Sequence, residues 1–248
     1  MTAGRFTIAS LFPERLNIHG DAENADVLRV RAGWRGLDAE VATIQDPADA
    51  EGLRPAAITI GAGFDADGPE VLAQLRAIEG QLREWMDAGA VLLAVGLGWE
   101  LLSRSTELHA GAPSAGLGFF SGRWVSAQRR VGRIVVDSAW GALTGYEYHL
   151  RDYVPGDDEE ALGTVVSGTG NSVPNGPEGA VRGDAYGTGI RGPVLARNPA
   201  FADHLLERAA AHAGLAFPDG VTDDRMRSAD VHAERANAIV RRALGLPA

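Results

Sequence analysis

Residues 89–103 read GAVLLAVGLGWELLS, and this stretch decides the fold class. Val91 to Val95 is an uninterrupted apolar run with Gly89 before it and Gly96 after it. A short apolar run closed off by turn residues marks a strand buried on both faces, as in a parallel sheet covered by helices. Gly96-Leu97-Gly98 then turns the chain, and Trp99 to Leu102 opens a helix. A strand that passes through a glycine turn directly into a helix predicts a crossover unit of a parallel α/β sheet.

The flanking sequence repeats that unit. Phe6 to Leu11, Ala39 to Ile44, Ala56 to Ile60 and Val91 to Val95 are the strand candidates, with helices expected over Ala22 to Arg35 and Pro69 to Ala88. The second of these places Val71, Leu75, Ile78, Leu82, Trp85 and Met86 at spacings of three or four, the period of one helix face. Pro69 suits its first turn and Gly89 its exit. Beyond Leu117 the apolar runs shorten to Arg123 to Ala127, Val131 to Val136, Gly163 to Val166 and Tyr186 to Ile190, which predicts mixed or antiparallel pairing. Ser167 to Gly183, dense in Gly, Asn and Pro, is expected to be a mobile surface loop. Helices over Pro199 to His212 and over residues 224–244 close the chain, the last with a long charged face suited to a cap or a partner-docking element. The expectation is an α/β fold, a three-layer α/β/α sandwich with a mainly parallel sheet and a mixed or antiparallel C-terminal part. Its ligand site belongs beyond the C-terminal strand ends. Residues 1–248 are read as one domain.

Composition narrows the function. The chain carries 45% hydrophobic and 23% charged residues, the balance of an ordinary folded protein. A formal net charge of -10 disfavours nucleic acid and anionic membrane, whose charge basic proteins neutralise. No apolar run reaches the roughly 20 residues of a membrane span, and the start lacks a secretory signal. A cytoplasmic location without membrane insertion is expected. With no cysteine in the chain, disulfides, thiolate zinc sites, iron–sulfur ligation and a cysteine nucleophile are excluded. His19, His109, His149, His204, His212 and His232 lack metal-ligand spacing of the HExxH kind, and no P-loop, dinucleotide fingerprint or G-x-S-x-G is present. Neither a metal nor a cofactor is implied, and ATP, if used, is supplied by a partner.

The segment Val95-Gly96-Leu97-Gly98-Trp99-Glu100 resembles the nucleophile elbow of class I glutamine amidotransferases, especially the amidotransferase subunit of lipid II isoglutaminyl synthase. There the stretch reads roughly valine-cysteine-glycine-glycine-tyrosine-glutamine, so Gly96 stands at the cysteine position. Four more matches follow in order. Asn17, Gly20, Asp21 and Asn24 resemble the family's opening. Gly61 and Gly63, within Ile58 to Asp65, stand in the glycine-rich loop that helps form its oxyanion site. Gly145-Tyr146-Glu147-Tyr148-His149 resembles a glycine-phenylalanine-glutamate-asparagine-histidine box. Gly187-Thr188-Gly189-Ile190-Arg191-Gly192-Pro193 resembles the segment that carries the catalytic histidine, with Arg191 in its place. The resemblance implies a flavodoxin-like fold and a glutamine-hydrolysing subunit, yet both reactive positions are substituted.

The substitutions have chemical consequences. Glycine has no atom to attack an amide, and the guanidinium of Arg191 does not release a proton near neutral pH, so it is no general base. Gly96 is equally a turn glycine suited to positive φ, and amides near Leu97, Gly98 and Trp99 offer a weak anion site. Arg191 is open to three readings: a solvated side chain, a salt bridge with Glu100 that fills the former site, or a bidentate grip on a ligand carboxylate. Arg129 resembles an arginine that contacts glutamine in the family, against the reading of an exposed strand arginine. His149 is read as structural. Ser103, Ser105 and Thr106 fall along or after the elbow helix, away from the turn.

The resemblance therefore implies a non-hydrolysing amidotransferase-like subunit. Its expected partner is a Mur-ligase-like, ATP-dependent subunit in a heterodimer that modifies the D-glutamate α-carboxyl of a peptidoglycan precursor, with a small amino acid or amine as further ligand. Two alternatives stand beside it. One is an active glutaminase with a non-standard or partner-supplied nucleophile, the other a stand-alone amino-acid-binding protein.

Overall fold

The structure, a computed structural model, describes residues 5–109, 112–218, 220 and 223–247. Its first sheet has six strands in the order β11-β12-β4-β3-β1-β2. These are β1 (Arg5–Leu11), β2 (Asp38–Ile44), β3 (Ala57–Ile60), β4 (Val91–Val95), β11 (Ala180–Arg182) and β12 (Ala185–Thr188). All neighbours pair in parallel except β11 with β12. The central strands β3 and β4 are buried at every residue, as their unbroken apolar runs predict.

Alternate strand residues feed two cores. Ile8, Val91, Leu93 and Val95 pack with Leu28 of α1 (Glu23–Trp34) and Phe201, Leu205 and Leu206 of α6 (Pro199–His212). On the opposite face, Leu11, Ile58, Ile60 and Leu92 pack with Val71 and Leu75 of α2 (Gly68–Ala77) and Leu82 and Trp85 of α3 (Glu79–Asp87). Helices thus cover both faces of the sheet, giving the three expected layers. The single helix expected over Pro69 to Ala88 is two, broken at Ile78 with φ -109° and ψ 11°. Because Ile78 and Leu82 both stay in the core, the apolar spacing runs through the break and hides it.

The remaining strands form a second sheet rather than extending the first. Its backbone is a hairpin of β7 (Phe120–Ser138) and β8 (Gly141–Val154), flanked by β5 (Ser103–His109), β6 (Ala112–Ala115), β9 (Gly163–Ser167), β10 (Pro177–Glu178) and β13 (Ile190–Arg191). The joint between the sheets is Trp99 on α4 (Leu97–Leu102), fully buried with ring centroids 4.6 Å from Trp124 and 4.4 Å from Tyr153. Ser103, Ser105 and Thr106 follow the elbow helix, on β5. The expected run Tyr186 to Ile190 is divided between the two sheets.

Ser167 to Gly183 is not simply a surface loop. It carries β10 and β11, and the Asn171 side chain is buried and bonded both ways to the backbone of Gly179. α5 (Val194–Arg197) and α7 (Asp224–Ala243) complete the chain; α7 buries only Met226 and Ala233 and is tied down by Asp230 to Arg31. Among the described residues, no helix is long and apolar enough to cross a membrane.

Candidate functional site

The ends of β1, β3 and β4 converge where the sheet order turns from β1 outward to β2 on one side and β3 on the other, the place where open α/β sheets bind ligands. At the end of β4, Gly96 has φ 54° and ψ -119°, a combination strained for any side-chain-bearing residue. Its N–H donates to Thr188 O, and Gly98 N–H donates to Gly61 O at 3.0 Å. A Cβ on Gly98 would sit 2.7 Å from that same oxygen, so glycine is what lets the β3 loop lie on α4. Gly61 and Gly63 follow β3 and press on the backbone of Leu16 and Arg15. Leu97, buried, lines the cavity that opens over the turn.

Arg191 reaches this turn from β13, held in place by pairing with Tyr146 of β8. Only 5% of it is exposed. Nη2 donates to Tyr148 O at 2.8 Å, while Nε and Nη1 find no partner. An ideal Cβ built on Gly96 would lie 1.5 Å from Arg191 Nη1 and 2.1 Å from its Cζ. The guanidinium therefore occupies the space that any side chain at position 96 would need. Burial pushes its pKa down, against the pull of Asp21 and Glu100.

The salt bridge between Arg191 and Glu100 is not made. Glu100 is buried and its Oε2 accepts from Arg151 Nε at 2.5 Å and from Thr106 Oγ1 at 3.0 Å. Arg151, on β8, also grips Asp65 with both terminal nitrogens, at 2.9 and 2.6 Å. Burial alone would lower its pKa; the hydrogen bonds and charges of Asp65 and Glu100 outweigh this and raise it. Glu100 thus already has a charge-assisted hydrogen bond from Arg151, which leaves Arg191 without it.

A cavity of about 440 Å³ spans these groups, walled by His19, Asp65, Glu100, Tyr148, Arg151 and Arg191 among others. His19 packs against the rings of Tyr146 and Tyr148 and is held below its ordinary pKa by burial and then by the Arg191 charge. Asp21 lies underneath, 1% exposed, its pKa raised to about 6 by burial against the opposing pull of Arg191 and of the Ala62 and Gly192 N–H groups. His149 is buried with Nδ1 2.7 Å from Arg151 O and Nε2 3.8 Å from Glu147. Arg129 is placed elsewhere: it is exposed on β7, its guanidinium 5.1 Å from the Tyr148 ring centroid, and the arginines that line the cavity are Arg151 and Arg191.

Sequence reading passed over Arg151 and Asp65. A signal existed: Glu147, His149 and Arg151 alternate along β8, all buried, the period of one strand face. Among the described residues no group of acidic or histidine side chains could hold a metal. Among the described residues, it is the guanidinium of Arg191 that lies nearest the side-chain position of Gly96.

Residues 7–199 match the CobB/CobQ-like glutamine amidotransferase domain. The chain belongs to that family. Within it, this amidotransferase-like chain is 29% identical over 236 residues to subunit GatD of the glutamine-hydrolyzing lipid II isoglutaminyl synthase of Staphylococcus aureus (strain N315), covering 93% of this chain and 96% of the relative. The GatD subunit of Streptococcus pneumoniae (strain ATCC BAA-255 / R6) is 27% identical, covering 83% and 80%. Among solved structures, a glutamine amidotransferase aligns at a TM-score of 0.55 and 18% identity over 82% of this chain and 98% of its own. A second, from Thermotoga maritima, aligns at 0.52 and 13% over 96% and 94%. These two likenesses speak for the fold. The amidotransferase architecture is thus kept around an elbow built from glycine and arginine.

Proposed function

We propose that this chain is an amidotransferase-like subunit that does not hydrolyse glutamine. It works as the companion of a Mur-ligase-like, ATP-dependent subunit modifying the D-glutamate α-carboxyl of lipid II. The end-to-end similarity to two GatD subunits supports the assembly and the substrate class. The observation that carries the loss of hydrolysis is the Arg191 guanidinium lying in the side-chain space of Gly96. Amide hydrolysis at an elbow needs a nucleophile at the turn and a base beside it to take its proton. Gly96 brings no nucleophile, and Arg191 has no lone pair to accept a proton.

Without ammonia from this chain, the ligase draws on free ammonia or another amine, and the chain stabilises it or shapes the amine's entry. Both subunits act in the cytoplasm, where ATP is available, as a heterodimer. The test is co-expression of the chain with its ligase, followed by measurement of amine incorporation into the precursor. The proposal expects incorporation from free amine that falls when the chain is removed. A ligase equally stable and active alone would overturn it.

A further inference from the structure

Two opposite charges sit unpaired beneath the elbow. Nε and Nη1 of Arg191 have no acceptor, and neither oxygen of Asp21 completes a hydrogen bond, although both residues are at least nine-tenths buried. They do not form an ion pair with one another. A buried cation with one hydrogen bond and no counter-ion is costly, since most of its lost hydration is not replaced, and the group gains most from an acceptor brought within reach. The wall that Arg191 shares is the 440 Å³ cavity, a size in the range of small-ligand sites.

We propose that this cavity binds a small carboxylate, anchored by Arg191, whose guanidinium turns off Gly96 to meet it. The inference rests on the reading of the elbow as a site without a nucleophile, and it names what that site now accepts. Arg191 offers donors and no acceptor, so a carboxylate, with two anionic acceptor oxygens, pairs with it more strongly than a primary amide, which offers one neutral carbonyl oxygen and an NH₂ the guanidinium cannot use. Gly96 makes this position possible: with no side chain at the turn, the guanidinium lies where a Cβ would be and borders the cavity into which it can turn. The other charges facing Arg191 are Asp21, Glu100, Asp65 and Arg151, with His19 also against it. Glu100 and Asp65 are engaged by Arg151, leaving Asp21 as the internal competitor for the ligand's place.

The experiment is calorimetry of the purified chain with glutarate and with glutaramide, its diamide, which differ only in carboxylate against amide, with ammonia release from L-glutamine measured alongside. Glutarate should bind about tenfold tighter or more, the scale of one charge-assisted hydrogen bond. Arg191→Ala should abolish the preference, and Asp21→Asn should tighten glutarate binding by removing the competitor. Should Arg191→Ala fail to fold, Asp21→Asn decides alone. Equal binding of the two, no binding of either at millimolar concentration, a preference that survives in folded Arg191→Ala, or unchanged affinity in Asp21→Asn would each overturn the site. Ammonia release from glutamine would instead overturn the non-hydrolysing reading, whatever the affinities.

Discussion

Two arginines line the same cavity and live in opposite circumstances. Arg151 is 7% exposed at its side chain and spends its donors on Glu100 and Asp65. Arg191 is as deeply buried, yet makes one hydrogen bond, to a backbone carbonyl. The first is a finished piece of scaffold that ties β8 to the elbow helix and to the loop after β3. The second fills the space that a side chain at position 96 would need. A buried charge that is fully partnered reads as architecture; one left with a single neutral partner and no counter-ion beside a cavity reads as a site.

The largest expected effect separates the two. Arg151→Ala leaves the buried Glu100 carboxylate uncompensated and should destabilise the fold by about 3–5 kcal/mol. Arg191→Met removes an unpartnered charge and should be neutral or stabilising. Chemical denaturation of both variants measures this, and the comparison breaks if Arg191→Met proves the more damaging.

A second buried charge sharpens it. Glu178, at the end of β10, accepts from Thr188 Oγ1 and Gly189 N–H, but its other oxygen has no partner, and burial raises its pKa from 4.5 to about 7. The folded state therefore holds a proton that the unfolded chain releases between about pH 4.5 and 7, so stability contributed by this group falls as pH rises through that window. Glu178→Gln should flatten that slope and gain roughly 3 kcal/mol over the parent protein at pH 8, read from denaturation midpoints across pH. A slope unchanged in the variant would remove Glu178 from the account.

Gly96→Cys should cost roughly 1–3 kcal/mol from backbone strain, with further loss as Arg191 is displaced. Adding Arg191→His should recover part of that loss, a coupling of about 0.5–3 kcal/mol for residues in contact. Strict additivity in the four-protein cycle would mean that the two positions do not share one space. The smallest effect belongs to Arg129→Ala, expected within about 0.5 kcal/mol because the side chain is exposed and only stacks on Tyr148.

The centre of the first sheet was legible because its strands carry short apolar runs, and β4, VLLAV, appears with the same limits in sequence and structure; β11, inside the segment expected to be a loop, was not. The second sheet was harder to read. β7 runs for 19 residues, but its middle, from Val125 to Arg133, has no buried residue and carries Arg129, Arg130 and Arg133, which breaks its apolar signal into fragments. β5 begins with polar residues whose burial depends on Trp99, Glu100 and Trp124, contacts no local pattern encodes. The elbow was visible as a glycine turn, and Arg191 as a substituted position. What stayed hidden was the choice of partner: Glu100 takes Arg151, 51 residues away, over Arg191. Such a competition is settled by the register of β8 and not by either residue's neighbours in sequence.

The most direct measurement is ammonia release from glutamine at saturating concentration, by the chain bound to its ligase partner. With the Arg191 guanidinium in the space of a nucleophile, no release above that of the ligase alone is predicted. Sustained turnover that depends on this chain would contradict the account.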